Sequence, residues 1–300
     1  TFHVLRFTKG GQIMFKTAIF TDEVSQDFQT AVNVALEYEL DGLEIRSVWD
    51  TAPQDLGDYV PSMKKILEGT GLAVCSIASP FFKCDIDSEE EYREHIEILE
   101  RCIALAQAFD CRIIRGFTFW RKGKLEDQWG KILRKFEEPV KLLEREGMIL
   151  AIENEASTCI GTGGVLRKFL DELQSPQVKS MWDAANVLFD DVFEEVPYPD
   201  EYEAIKQDMV HMHLKDAKRT PEPVCTPIGE GDIDYRAQFT ALADDGYEGY
   251  VSLETHWRPV KLSEETLDRP GGSAFSASGE YASRLCLDNW MQMLKELGLK

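Results

Sequence analysis

Short apolar runs alternate with helical patterns along the whole chain. In "MILAIENEAST" the run Met148 to Ile152 is apolar without a break, as in a parallel strand covered on both faces, and Glu153, Asn154 and Glu155 follow at once. Runs of this kind predict strands at Thr17–Phe20, Gly42–Arg46, Leu72–Ile77, Arg112–Arg115, Ile149–Glu153, Lys179–Trp182, Val210–Leu214 and Tyr250–Glu254. The stretches between them have helical period. "DFQTAVNVALEYE" places Phe28, Val32, Ala35 and Leu36 on one face. "SEEEYREHIEILERCIALAQAF" opens with Ser88 as a cap and acids in the first turn, then repeats Ile96, Leu99, Ile103 and Ala106. "LEDQWGKILRKFEEPVKLLEREG" predicts a further helix with a kink or break at Pro139, and a last helix is expected from about Gly279 to Leu297.

Eight strands, each followed by a helical segment, predict a single-domain α/β fold, the (β/α)8 TIM barrel, over residues 14–300, with a C-terminal helix. An open doubly wound sheet is the rival, but the turn after its first strand is usually Gly-rich, and "AIFTDEVSQD" contains no glycine. Residues 1–13 have no clear pattern and are expected to be an N-terminal extension or leader. The long segment "RPVKLSEETLDRPGGSAFSASG" follows the last strand and is expected to lie over the face where barrel sites are built.

The 300 residues carry 33 Lys and Arg against 54 Asp and Glu, a formal charge of −21. Such acidity argues against a nucleic-acid partner, which would need clustered cations. Nothing approaches the roughly 18 consecutive apolar residues of a membrane helix. The seven cysteines are scattered and odd in number, which fits reduced thiols and a cytoplasmic location.

The polar residues at the strand ends then change the picture. Strand five ends in Glu153-Asn154-Glu155 and strand six in Asp183; strand seven carries His211 and His213; strand eight ends in Glu254, with His256 two residues on. In a barrel these four ends are neighbours on one rim. Clustered carboxylates raise one another's pKa unless a cation sits among them. One His with oxygen-rich company suits one divalent metal: manganese first, with magnesium, cobalt or zinc as alternatives. The bland alternative leaves each acid as a solitary rim group with a local partner.

"LAIENE", "MWDAAN", "HMHLKD", "GEGDIDY" and "VSLE", in that order, resemble the motif series of the xylose isomerase-like sugar isomerase/epimerase family, and "TDEVSQDF" and "DGLEIR" resemble its first two βα units. The resemblance runs from about Thr17 to Trp257. It implies metal ligands at Glu153, Asp183, His213 and Glu254. It also implies catalysis by Glu153 and Glu254, which would move a proton next to a substrate carbonyl through a metal-stabilised enediolate. His211 is read as a deeper core histidine. Two positions depart from the family, which often has His where this chain has Asn186 and Glu155. Substrate hydroxyls are commonly held there, so the substrate is expected to differ from a free ketohexose. Glu155 either reaches substrate or makes a rim salt bridge.

The expected partner is a small sugar or sugar derivative; no nucleic acid or membrane is expected, and a homo-oligomer is allowed. The absence of a phosphate loop points to an unphosphorylated substrate. Glu155, Asn186, His256, Arg258, Trp120 and Phe82 are the candidate substrate contacts, the aromatic ones because apolar sugar faces stack on rings. The same rings could instead pack loops onto the barrel. Lys215 and Asp216 are expected to form a supporting pair beside His213. Glu44 is expected near the barrel mouth, either positioning a ligand or only packing. A lyase or dehydratase on the same scaffold, acting for example on a 3-oxidised sugar or glycoside, and a non-catalytic sugar-binding barrel are the alternatives.

Overall fold

A computed structural model describes residues 15–190, 196–220, 222–260, 262–263, 266 and 270–300. The expected leader at residues 1–13 lies outside them. Eight parallel strands close into a barrel: β1 Lys16–Phe20, β2 Gly42–Ile45, β3 Ala73–Ile77, β4 Ile113–Gly116, β5 Ile149–Glu153, β6 Val178–Asp183, β7 Met209–Leu214 and β8 Tyr250–Leu253. Each strand pairs with its neighbours in sequence, and β1 closes the ring against β8. The predicted strands are the observed ones, with ends moved by a residue or so. β5 is buried from Leu150 to Glu153 because helices cover its outer face and the barrel interior its inner one.

Strand alternation decides which side chains fill the barrel. Register pairs Asp183 with His213, and His213 with Ser252; Glu153 lies beside Met181 on the same rim. His211 and His213, two apart on β7, face the same way, and both are fully buried.

The helices follow the apolar periodicity. Phe28–Glu37 starts at Asp27, whose carboxylate accepts from Thr30 N, and Glu89–Ala108 starts at Ser88, whose hydroxyl accepts from Glu91 N. The break predicted at Pro139 falls at Phe136 instead. Helices Leu125–Lys135 and Glu137–Glu146 meet there, and Pro139 sits in the first turn of the second, where a missing N–H leaves no bond unmade. The last helix is Gly279–Glu296.

After β7 the chain makes a small hairpin, Asp216–Lys218 against Val224–Thr226. Asp216 accepts from Ala217 N, Gly229 N and Gly231 N at 2.8–3.0 Å, which ties the "GEGDID" segment under the rim. A Cβ at Gly231 would overlap that carboxylate, so this position has no room for a side chain. Of the long segment after β8, residues 261, 264–265 and 267–269 lie outside the described residues. Its later part, Gly272–Phe275, is a short helix beside β1 and β2: Ser273 Oγ donates to Asp50 at 2.7 Å, and Ser276 Oγ donates to Asp22 O at 2.8 Å.

Candidate metal centre

Four consecutive strand ends aim their polar residues at one point. Ligand atoms of Glu153, Asp183, His213 and Glu254 all lie within 4.8 Å of one another, and all four residues are buried. His213 Nδ1 is 3.2 Å from Glu153 Oε1 and 3.9 Å from Glu254 Oε2. On the other side of the ring, His213 Nε2 is 3.3 Å from Glu44 Oε1, while His211 Nε2 is 2.8 Å from Glu44 Oε2. Glu44 thus holds both histidines from below. With its Nε2–H given to Glu44, His213 would offer Nδ1 to the centre.

Cations bind the carboxylates from behind. Arg115 Nη1 is 3.2 Å from Glu153 Oε2, and Arg46 Nη1 is 2.6 Å from Glu254 Oε1. Arg46 also grips Asp22 at 3.0 Å and Glu23 at 2.9 Å. Asn186 Nδ2 donates to Glu153 Oε1 at 3.1 Å. Asp183 Oδ1 caps its own helix, accepting from Ala185 N and Asn186 N. Asp183 Oδ2 is buried and accepts no hydrogen bond; its neighbour is the Lys215 ammonium at 2.8 Å, an ion pair without hydrogen-bond alignment. A buried carboxylate oxygen aimed into an oxygen-rich cluster with one imidazole is what a hard divalent ion requires, so the residues present fit such an ion.

The electrostatics follow from this crowding. Burial would raise Glu153, but the charges of His213 and Arg115 outweigh it and hold the carboxyl at about 2. Burial likewise opposes ionisation of Glu254, and Lys215, His256 and Arg46 together hold it well below the usual range. Asp183 goes the other way. Burial, with Glu153 and Glu254 close by, outweighs Lys215 and lifts it to about 6. Burial disfavours the imidazolium of His213, yet Glu153 and Glu44 raise it to about 10.

The candidate substrate contacts are placed unevenly. Asn186 is buried between Glu153 and Lys215. Glu155 is partly exposed and meets Lys83 Nζ at 3.1 Å, and Lys83 lies over the rings of Phe117 and Trp120. Trp120 is partly exposed on this rim. His256 Nδ1 is 2.9 Å from Glu23 Oε1 and 3.7 Å from Glu254 Oε1.

Two further expected contacts are engaged within the protein. Phe82 is fully buried and stacks on Phe81 and Phe119, edge-on to Phe136; its ring packs the loop against the outer helices and offers no face to a sugar. Arg258 is committed to Glu23 Oε2 at 2.9 Å and to the carbonyl of Phe275, which locks the segment after β8 onto the turn after β1. The expected Lys215–Asp216 pair is also absent: Lys215 serves Asp183 and Glu254, and Asp216 serves backbone N–H groups.

Sequence reasoning missed Asp22, Glu23, Arg46 and Arg115. A signal existed for one of them: "LEIR" places Glu44 and Arg46 two apart in an otherwise apolar strand, so both must enter the barrel together.

Known proteins are similar to this chain in sequence and in fold. Over 154 residues the chain is 23% identical to an inosose dehydratase of Clostridium perfringens, covering 45% of this chain and 50% of that one. It therefore spans about half the length of the curated relatives it matches. A D-allulose 3-epimerase of Methylomonas sp. superposes with TM-score 0.71 at 15% identity, covering 94% of this chain and 99% of that one. A 3-keto-D-glucoside 4-epimerase of E. coli superposes with TM-score 0.64 at 17% identity, over 90% and 99%. Among the described residues no helix is long and apolar enough to cross a membrane. The model of the xylose isomerase-like TIM barrel family matches residues 32–277, and the chain belongs to that family.

Proposed function

We propose that this protein is a divalent-metal-dependent isomerase or epimerase of a sugar or sugar derivative, working by proton removal next to a carbonyl. The observation that carries this reading is the convergence of Glu153, Asp183, His213 and Glu254 within 4.8 Å, with two of the four being glutamates on non-adjacent strands. A divalent ion held by these four, manganese first and magnesium, cobalt or zinc as alternatives, would supply a Lewis acid for the negative charge that develops on adjacent substrate oxygens.

The chain's own residues supply the rest. Glu153 takes the proton on one face of the substrate and Glu254 returns one on the other, or the reverse. Arg115 and Asn186 fix both oxygens of Glu153, and Arg46 fixes Oε1 of Glu254. Neither carboxylate can turn away during the transfer. The side chains of all four are no more than 3% exposed, so water competes poorly for the proton. Glu155 with Lys83, and the exposed edge of Trp120, line the rim above and would hold substrate hydroxyls.

Dehydration is the second reading, favoured by the sequence match to an inosose dehydratase. It begins with the same proton removal and differs in that a neighbouring hydroxyl leaves.

The test is elemental analysis of the purified protein and of Glu153→Gln. About one divalent ion per chain in the wild type, lost in the variant, is expected. Sugars and keto-sugars are then screened for solvent-deuterium uptake, and the products separate epimer from dehydrated enone. No ion in the wild type after incubation with Mn²⁺ refutes the mechanism.

A further inference from the structure

The Lys215 ammonium stands where the centre is weakest. Lys215 follows β7 and lies two residues past His213, so its side chain enters the barrel. Its Nζ is 2.8 Å from Asp183 Oδ2, 3.2 Å from Glu254 Oε2 and 2.8 Å from Asn186 Oδ1, and its side chain is 5% exposed. It is the one Lys or Arg paired with Asp183 among the described residues. Glu153, Glu254, Asp22 and Glu23 each pair with an arginine.

The charges of the surrounding network do not balance. Asp22, Glu23, Glu44, Glu153, Asp183 and Glu254 are joined by Arg46, Arg115, Lys215 and Arg258, with Glu44 attached through the two histidines. Six carboxylates against four fixed cations leave two negative charges when the histidines are neutral. One divalent ion would cancel them. Without it, a buried cluster needs every cation it can hold.

We propose that Lys215 is a tethered placeholder for the metal. Its ammonium holds Asp183 and Glu254 together in the metal-free protein, and it gives up Asp183 Oδ2 and Glu254 Oε2 when a divalent ion binds, keeping Asn186 Oδ1. The inference rests on the metal reading above. The ammonium and the ion need the same two oxygens, and two cations sharing them in a buried site repel strongly. The lysine therefore stabilises the empty site and weakens metal binding, the reverse of what a simple supporting residue would do.

The experiment uses the full chain, stripped with EDTA, as wild type, Lys215→Met and Lys215→Gln. Mn²⁺ affinity is read by titration calorimetry and apo stability by melting temperature. Expected is an apo melting point lower by about 5 °C or more in both variants, with Mn²⁺ bound about tenfold more tightly or better. Recovery of a variant in folded form only when Mn²⁺ is present has the same meaning, because the ion then replaces the ammonium. Equal or weaker Mn²⁺ binding in the variants, with normal binding in the wild type, overturns the placeholder and leaves the metal site standing. Failure of both variants to fold even with Mn²⁺ overturns it as well. Absence of Mn²⁺ binding in all three proteins overturns both readings.

Discussion

Glu44 offers a quantitative test of the centre's electrostatics. Its carboxylate lies between His211 Nε2 at 2.8 Å and His213 Nε2 at 3.3 Å, and all three side chains are fully buried. Despite the burial, the two histidines hold Glu44 well below the usual carboxylate range, so it keeps its charge across the neutral and alkaline range. His213 rises from 6.5 to about 10 against the effect of burial because Glu153 and Glu44 both face it. That rise corresponds to ~5 kcal/mol of preference for the charged imidazole. Two carboxylates share it against the opposing effect of burial, so Glu44→Gln removes at least half, on the order of 2 kcal/mol, and brings His213 down to about 8 or below.

The sign follows from linkage. A histidine raised in the folded state contributes stability that is complete below its unfolded value of 6.5 and is lost as pH rises toward 10. In Glu44→Gln that loss is finished near pH 8; in the wild type it continues to about pH 10. The stability gap between the two proteins is therefore level from pH 6 to about pH 8, then closes by ~2 kcal/mol up to pH 10. Urea unfolding of EDTA-stripped protein at pH 6.5, 8 and 10 measures it, since removal of the metal leaves His213 free to titrate. A gap that stays constant across that range, or that widens with pH, refutes the pairing of Glu44 with a protonated His213.

Binding a divalent ion displaces the proton on His213, so calorimetric titration of Mn²⁺ at pH 7.5 in two buffers of different ionisation enthalpy should show about one proton released per ion; no release means that Nδ1 is not a ligand. Asp183, lifted by burial from 3.8 to about 6, favours the folded state while protonated, and this contribution is lost as pH rises through that interval. The rise in melting temperature caused by Mn²⁺ should accordingly be larger at pH 7 than at pH 5, where protons compete for both Asp183 and His213, and an equal rise at both would exclude the two from the ligand set. Phe82→Ala should cost about 3–5 kcal/mol of stability, because its ring fills the space between Phe81, Phe119 and Phe136. Mn²⁺ affinity should be unchanged; a stable variant with impaired ligand binding would restore Phe82 to the substrate pocket. Gly231→Ala should lower the melting temperature by several degrees through collision with Asp216, at about 2 kcal/mol or more, and a neutral outcome would mean that the hairpin after β7 yields freely.

The barrel was legible because its strands are nearly continuous apolar runs and its helices carry caps, two signals that are local in sequence. Glu153, Asp183, His213 and Glu254 were legible for a related reason: each interrupts or ends an apolar run, and strand order puts the four ends side by side. The cations behind them were not, since Arg46 and Arg115 reach their carboxylates across 208 and 38 residues of sequence, and no local pattern encodes such a pairing. Lys215 is the instructive case. It was expected to pair with Asp216, its neighbour in the chain, yet neighbours on an extended segment point to opposite sides. The same alternation that sends His211 and His213 inward sends Lys215 inward and Asp216 out, toward the N–H groups of Gly229 and Gly231. Applied one residue further than the last histidine, the rule of two places an ammonium directly against the proposed ligands. A lysine in that position makes the cluster a site already holding a cation of its own, and the affinity of such a site for metal is set as much by how easily that cation withdraws as by the ligands themselves.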